Sequence, residues 1–139
     1  MLILDTNVVS ELRKVRAGRV DPRFVRWVDG TEPASLYLSA ITIMELETGV
    51  GLIERRDGHQ GRLLRSWLEL RVLPGFANRI LPVDVAVAHR CGAMHVPDRR
   101  NDRDALIAAT ALVHGMTVVT RNISDFIATG AKLIDPWSD

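Results

Sequence analysis

The chain has 139 residues, 47% of them hydrophobic and 25% charged, which is enough for one domain with a real core and too few for two. No apolar stretch approaches the roughly 20 residues of a membrane span, and Asp5 stands where a secretory signal needs a basic start and a longer apolar core, so a cytoplasmic protein without membrane contact is expected. The net charge of +1 conceals 16 Arg among 18 basic residues, while the single Cys91 excludes an internal disulfide and His59, His89, His95 and His114 lack zinc-ligand spacing.

In chain order, Met1-Leu2-Ile3-Leu4 is an all-apolar run ending in Asp5. It predicts the central strand of a parallel sheet covered by helices on both faces, with the carboxylate delivered to the lip where such sheets bind ligands. Thr6 and Asn7 start a helix that reaches about Lys14. Ala17-Gly18 breaks the pattern, and Asp21-Pro22 restarts a helix with Asp as cap and Pro at the first position. Ser35 to Leu38 reads as the second strand. Thr42-Ile43-Met44-Glu45 matches a capping box, opening a helix to about Arg56. A further helix is predicted from about Gln60 to Leu73, with Leu63, Leu64, Trp67, Leu68 and Leu70 as its apolar stripe and Pro74-Gly75 as its stop.

Ile80-Leu81 is a short third strand, followed by a helix from about Asp84 to Met94 that carries Val85, Ala88 and Cys91 inward. The loop from Pro97 to Arg103 is strongly polar. Asp104 to Val113 is apolar nearly all round, which marks a buried helix, and Gly115 caps it. Thr117 to Thr120 forms a fourth strand, a turn holds Arg121 to Phe126, and Lys132 to Ile134 is the edge strand. Strands alternating with helices imply an α/β fold with a parallel sheet of about five strands.

In such a right-handed fold Asp5, Glu45, Asp104, and the Asn122/Asp125 segment share one edge of the sheet. Each acid has a local explanation. Asp5 suits a helix cap, Glu45 the return partner of the capping box, Asp104 a charge at a helix N-terminus, and Asp125 a turn. Together they need compensation, because like charges about 4 Å apart repel by roughly 4 kcal/mol at an effective dielectric near 20. A hard divalent cation, Mg²⁺ or Mn²⁺, is the natural partner for carboxylates plus water, and it can polarise a phosphoryl oxygen and activate a water. Basic clusters at Arg13/Lys14/Arg16/Arg19, Arg55/Arg56/Arg62/Arg65 and Arg99/Arg100/Arg103 suit phosphate, although charged runs are usually solvated faces.

Several motifs run from end to end: Leu-Asp-Thr-Asn-Val at 4–8, Leu-Ser-Ala-Ile-Thr-Ile-Met-Glu-Leu at 38–46 with Gly49, Arg-Ile-Leu-Pro at 79–82, Asp-Ala-Leu-Ile-Ala-Ala-Thr-Ala at 104–111, Val-Thr-Arg-Asn at 119–122 with Asp125-Phe126, and Pro136-Trp137. In this order they resemble a PIN-domain ribonuclease, the toxin subunit of a VapBC-type toxin–antitoxin pair, in its FitB-like branch. The resemblance implies a PIN-like fold and a Mg²⁺- or Mn²⁺-dependent endoribonuclease acting on RNA. It also implies a homodimer that joins a larger assembly with a VapB/FitA-like DNA-binding antitoxin. Asp5, Glu45 and Asp104 match the family's acids, and Thr6, Asn7, Thr120 and Asn122 flank them as supporting residues. The family often has an acid after Thr-Arg where this chain has Asn122, so the fourth metal-site position falls to Asn122 or to Asp125.

Three rivals stand against this reading. An aspartate-nucleophile phosphatase also opens on a strand ending in Asp, but it needs a second Asp two residues on, where this chain has Asn7. A phospho-receiver module needs a site lysine, and neither Lys14 nor Lys132 lies at a suitable strand end. A catalytically silent interaction domain would keep the acids only as caps.

Overall fold

The computed structural model describes residues 1–15 and 17–138; Arg16, assigned above to a basic cluster, lies outside them. Five strands, β1 (Leu2–Leu4), β2 (Leu36–Ser39), β3 (Ile80–Leu81), β4 (Thr117–Val119) and β5 (Leu133–Ile134), form one all-parallel sheet in the order β3-β2-β1-β4-β5. The uninterrupted apolar run of β1 has its expected cause: the strand is central, and Ile3 and Leu4 are fully buried on opposite faces.

Strand alternation sorts the core into two layers. On one face Leu4, Leu36, Leu38 and Val119 pack with Val8 and Val9 of α1 (Thr6–Val15), Phe24 of α2 (Pro22–Asp29), and Leu46 and Val50 of α3 (Ala40–Arg56). α4 (Gly58–Trp67) follows, and the chain continues through a wide helical turn at Leu68–Val72 into α5 (Leu73–Gly75). On the other face Ile3 and Val118 meet Ile107, Ala108 and Ala111 of α7 (Asp102–His114) and Phe126 of α8 (Ile123–Phe126). α6 (Val85–Met94) packs outside α7 through Val87 and Cys91.

Local chemistry sets the joints. Asp21 accepts from Arg23 N at 2.9 Å, with Pro22 at the first helical position as expected. Asp57 ends α3 and caps α4 through Gln60 N at 3.1 Å. The two helices then approach so closely that a Cβ on Gly61 would lie 2.6 Å from Glu54 Cα. Arg65 ties the same pair by contacts to Glu47 at 2.6 Å and Glu54 at 2.9 Å. Gly115 ends α7 in the left-handed conformation, φ 67°.

Several boundaries differ from the sequence reading. Ser39, not Thr42, caps α3 by accepting from Ile41 N at 3.0 Å; Thr42 is buried within the helix, so Thr42 and Glu45 form no capping box. The stripe assigned to α4 holds for Leu64, Trp67 and Leu68, but Leu63 and Leu70 are 55% and 70% exposed. The wide turn at Leu68–Val72 shifts the angular phase of the helix, and Pro74-Gly75 lies within its last turn rather than beyond it. In α6 Val87 takes the buried place assigned to Val85 and Ala88, which are both exposed, while Cys91 does face inward. Asn101, inside the supposed loop, caps α7, which therefore begins two residues before Asp104. The segment after β4 is not a bare turn, since it includes the one-turn helix α8.

Candidate active site

The C-terminal edge of the sheet collects the acids. Asp5 follows β1 directly, its N–H donating to Val119 O at 2.9 Å, and it is only 6% exposed. Its Oδ2 accepts from Thr120 Oγ1 at 2.7 Å and Asn7 Nδ2 at 3.3 Å, and its Oδ1 accepts from Thr6 N at 2.8 Å. Burial nevertheless holds the carboxyl above its ordinary pKa, outweighing the donors from Thr120 and Thr6, with the charges of Glu45 and Asp125 adding to the rise.

Glu45 lies in the second turn of α3, because that helix starts at Ala40. Thr6 Oγ1 donates to its Oε1 at 2.7 Å, and Arg103 Nη1 stands 3.5 Å from its Oε2. Thr6 thus links the buried acid to Glu45: its backbone serves Asp5 and its hydroxyl serves Glu45. Asp104 sits in the first turn of α7, where Asn101 Oδ1 accepts the N–H groups of Arg103 and Asp104 at 3.1 Å each. Its carboxyl is pushed up to about 6, first by desolvation and then by Asp5, Asp125 and Glu45, with Arg103 opposing.

Asp125 is exposed in the first turn of α8, yet its charge acts on both Asp5 and Asp104. Asn122 reaches the cluster through its backbone. Its N–H donates to Thr120 Oγ1 at 2.9 Å, and its carbonyl accepts Asp125 N–H at 3.0 Å. Asn7 Oδ1 accepts from Arg121 N at 3.5 Å. Asp5, Glu45, Asp104 and Asp125 are therefore one electrostatic group, with Thr6, Asn7, Thr120 and Asn122 as its hydrogen-bonding frame. Asp102 is directed elsewhere, 3.4 Å from both His95 and Arg99.

Sequence reasoning missed Arg103 as a member of this edge and Asn101 as its organiser. The available signal was an Asx residue three places before Asp104, the spacing of a helix cap. Among the described residues no three of His, Cys, Asp and Glu stand close enough together to hold one ion. The donor set is nonetheless all hard oxygen and its negative charge is under-compensated, which suits a divalent cation better than any soft metal. A cleft of about 220 Å³ runs from Thr6 and Glu45 past Ser10 and Arg13 to Trp67. A larger groove of about 480 Å³ continues over Trp67 to the exposed Leu63 and Leu70.

Residues 2–132 match the PIN domain family. The chain belongs to that family. It is 38% identical over 144 residues to Toxin FitB of Neisseria gonorrhoeae, covering 100% of both chains. It is 37% identical over 142 residues to VapC ribonuclease Y4jK of Sinorhizobium fredii, covering 99% of this chain and 98% of that one. The fold of this PIN-domain protein matches the crystal structure of FitAcB from Neisseria gonorrhoeae with a TM-score of 0.89 at 37% identity, covering 100% of both chains. It matches FitAB bound to a DNA fragment at 0.88 and 36%, covering 100% of this chain and 97% of that one. The family resemblance and the five-stranded fold expected from the motifs are thereby borne out. The receiver and phosphatase alternatives fall with them. Among the described residues no helix is long and apolar enough to cross a membrane.

Proposed function

We infer that this PIN-domain protein is an endoribonuclease, the toxin of a toxin–antitoxin pair, which hydrolyses RNA phosphodiester bonds at the edge formed by Asp5, Glu45, Asp104 and Asp125. The observation that carries the reading is the gathering of these acids at one sheet edge, where Thr6 hydrogen-bonds both Asp5 and Glu45 and Thr120 holds Asp5, in a chain similar throughout to proteins named as a ribonuclease and as a toxin. Asp5, Glu45, Asp104 and Asp125 are the residues that would hold Mg²⁺ or Mn²⁺. When bound, such an ion supplies Lewis acidity at a phosphoryl oxygen and a water acidified for attack.

The chain's own residues prepare this chemistry. Thr120, Thr6 and Asn7 fix both oxygens of Asp5, so its orientation needs no reorganisation. Thr6 fixes one oxygen of Glu45 in the same way. Asp104, held well above its ordinary pKa by desolvation and the neighbouring acids, would be relieved by a bound cation. The strand-end position leaves the edge open to a looped or single-stranded RNA.

The proposed partner is a small FitA- or VapB-like DNA-binding antitoxin that lays an apolar segment over Leu63, Trp67 and Leu70 and places a basic side chain among the acids, where a charge-assisted contact is strong. The working form is proposed to be a cytoplasmic homodimer that assembles further with the antitoxin.

The test is cleavage of tRNA and rRNA fragments by purified protein with Mg²⁺ or Mn²⁺. Activity should vanish in EDTA and in Asp5→Asn; activity that persists in EDTA, or survives unchanged in Asp5→Asn, removes the reading. Co-expression with the small protein encoded beside it should relieve growth arrest, and absence of both binding and rescue removes the partner.

A further inference from the structure

An edge of four carboxylates repels the substrate it is meant to receive, since RNA brings a phosphate with every nucleotide. Among the described residues the cation in ion-pair contact with these acids is Arg103, whose Nη1 lies 3.5 Å from Glu45 Oε2. At that separation the contact is an ion pair at the long limit of hydrogen bonding. The side chain is 54% exposed, and an exposed pair of this kind contributes little stability. Glu45 would not be left bare by its departure, because Thr6 Oγ1 holds the other oxygen at 2.7 Å.

Other arginines near the edge face groups other than the four acids. Arg100 Nε donates to Met94 O at 3.0 Å, Arg99 pairs with Asp102 at 3.4 Å, and Arg121 lies over the Trp137 ring at 4.9 Å. The backbone of Arg103 is also fixed beside Asp104. It precedes Asp104 in the first turn of α7, where Asn101 caps both N–H groups and the helix dipole favours an approaching anion.

We propose that Arg103 is a substrate-binding residue of this site: its guanidinium rests beside Glu45 in the free protein and takes non-bridging phosphate oxygens of the bound RNA. The planar fork fits two such oxygens, which lysine's point charge does not reproduce. The exchange costs one weak contact and gains a charge-assisted one, so it favours the bound state. The proposal rests on the ribonuclease reading above.

The experiment measures binding of a fluorescent single-stranded RNA oligonucleotide by anisotropy, in Mg²⁺ and over a salt series, to Asp5→Asn protein that cannot cut it. Adding Arg103→Ala should weaken Kd on the order of tenfold and reduce the slope of log affinity against log salt by about 0.7, one phosphate's share on a single strand. Arg103→Lys should recover the slope but only part of the affinity. With Asp5 intact, Arg103→Ala should raise KM more than it lowers kcat. Unchanged Kd and slope overturn the proposal, as does a loss confined to kcat, which would make Arg103 a positioning residue for Glu45. Arg103→Gln, read alongside far-UV circular dichroism, supplies the same comparison should the alanine variant misfold. Wild-type protein that cuts no RNA would instead refute the ribonuclease reading, whereas cutting that is indifferent to Arg103 refutes only this step.

Discussion

Thr120 Oγ1 donates to Asp5 Oδ2 at 2.7 Å across 115 residues of sequence, joining the ends of two adjacent parallel strands inside the protein. Thr120 is fully buried and its hydroxyl also accepts from Asn122 N, so a single oxygen serves both the acid and the turn that carries Asp125. Thr120→Val keeps the shape and removes both bonds. It should destabilise the protein by about 1–3 kcal/mol, the cost of unsatisfied buried groups, and lower activity further than stability alone accounts for. Thr120→Ser should restore most of each. Thermal melts beside RNA cleavage rates measure the pair of effects, and a valine variant indistinguishable from wild type would remove Thr120 from the frame.

The acids make the metal-free protein less stable as pH rises. Asp104 moves from an ordinary 3.8 to about 6 in the folded state. Below 3.8 both folded and unfolded chains hold the proton and folding carries no penalty. Between 3.8 and 6 the unfolded chain loses its proton first, so stability falls, and above 6 the full penalty stands. For a partly exposed group this amounts to about 1–2 kcal/mol after allowing for solvent screening. Asp5, also raised, adds a contribution of the same sign. In EDTA, Asp104→Asn should therefore melt no lower than wild type at pH 7 to 8, with a shallower pH profile. A large drop would show that the charge at the start of α7 matters more for the helix than for the cluster.

Asp125 offers a charge and Asn122 a backbone contact as the two candidates proposed for the fourth position. Asp125→Asn is expected to lower the cleavage rate by on the order of 10- to 100-fold, the size seen when carboxylates supporting a metal site are removed, and to weaken Mg²⁺ dependence. Its melting temperature should barely change, since Asp125 is exposed. Asn122→Asp should be tolerated or tighten metal binding. If Asp125→Asn keeps full activity while Asn122→Ala loses it, the position belongs to Asn122.

Gly61 tests the α3–α4 contact away from the site. A Cβ there would stand 2.6 Å from Glu54 Cα and 2.8 Å from Glu54 Cγ, and backbone cannot swing aside as a side-chain tip can. Gly61→Ala should cost about 1–3 kcal/mol despite alanine's better helix propensity, because it forces the two helices apart. A thermal or urea melt decides, and a neutral or stabilising result would mean the helices separate freely.

Much of this was legible because strand identity depends on uninterrupted apolar runs. Met1 to Leu4 read as central, whereas the pairing of Thr117 to Val119 with it came only from the structure. Helix starts were less legible where several cap-competent residues compete. Ser39 and Thr42 both precede apolar periodicity, and Asn101, Asp102 and Asp104 are all able to cap; tertiary packing chose the earlier residue in each case, burying Thr42 under Thr6 at 3.4 Å. That choice moved Glu45 one turn deeper into α3. The exposure of Leu63 and Leu70 was hidden because the wide turn at Leu68–Val72 changes the helical phase, and no residue type announces such a turn. Arg103 was indistinguishable from its neighbours Arg99 and Arg100 until the direction of α7 was known.

The place of β1 in the middle of the sheet governs how the enzyme comes into being. The first strand of this sequence is also one that is flanked on both sides, by β2 and by β4, whose residues begin at Thr117. The second neighbour of β1 therefore comes from far along the chain, as the 115-residue separation of Asp5 and Thr120 records. The closing of so long a loop is a late and entropically expensive event. A chain cut before Thr117 therefore lacks one of the two neighbours of β1, together with the Thr120 hydroxyl that holds Asp5.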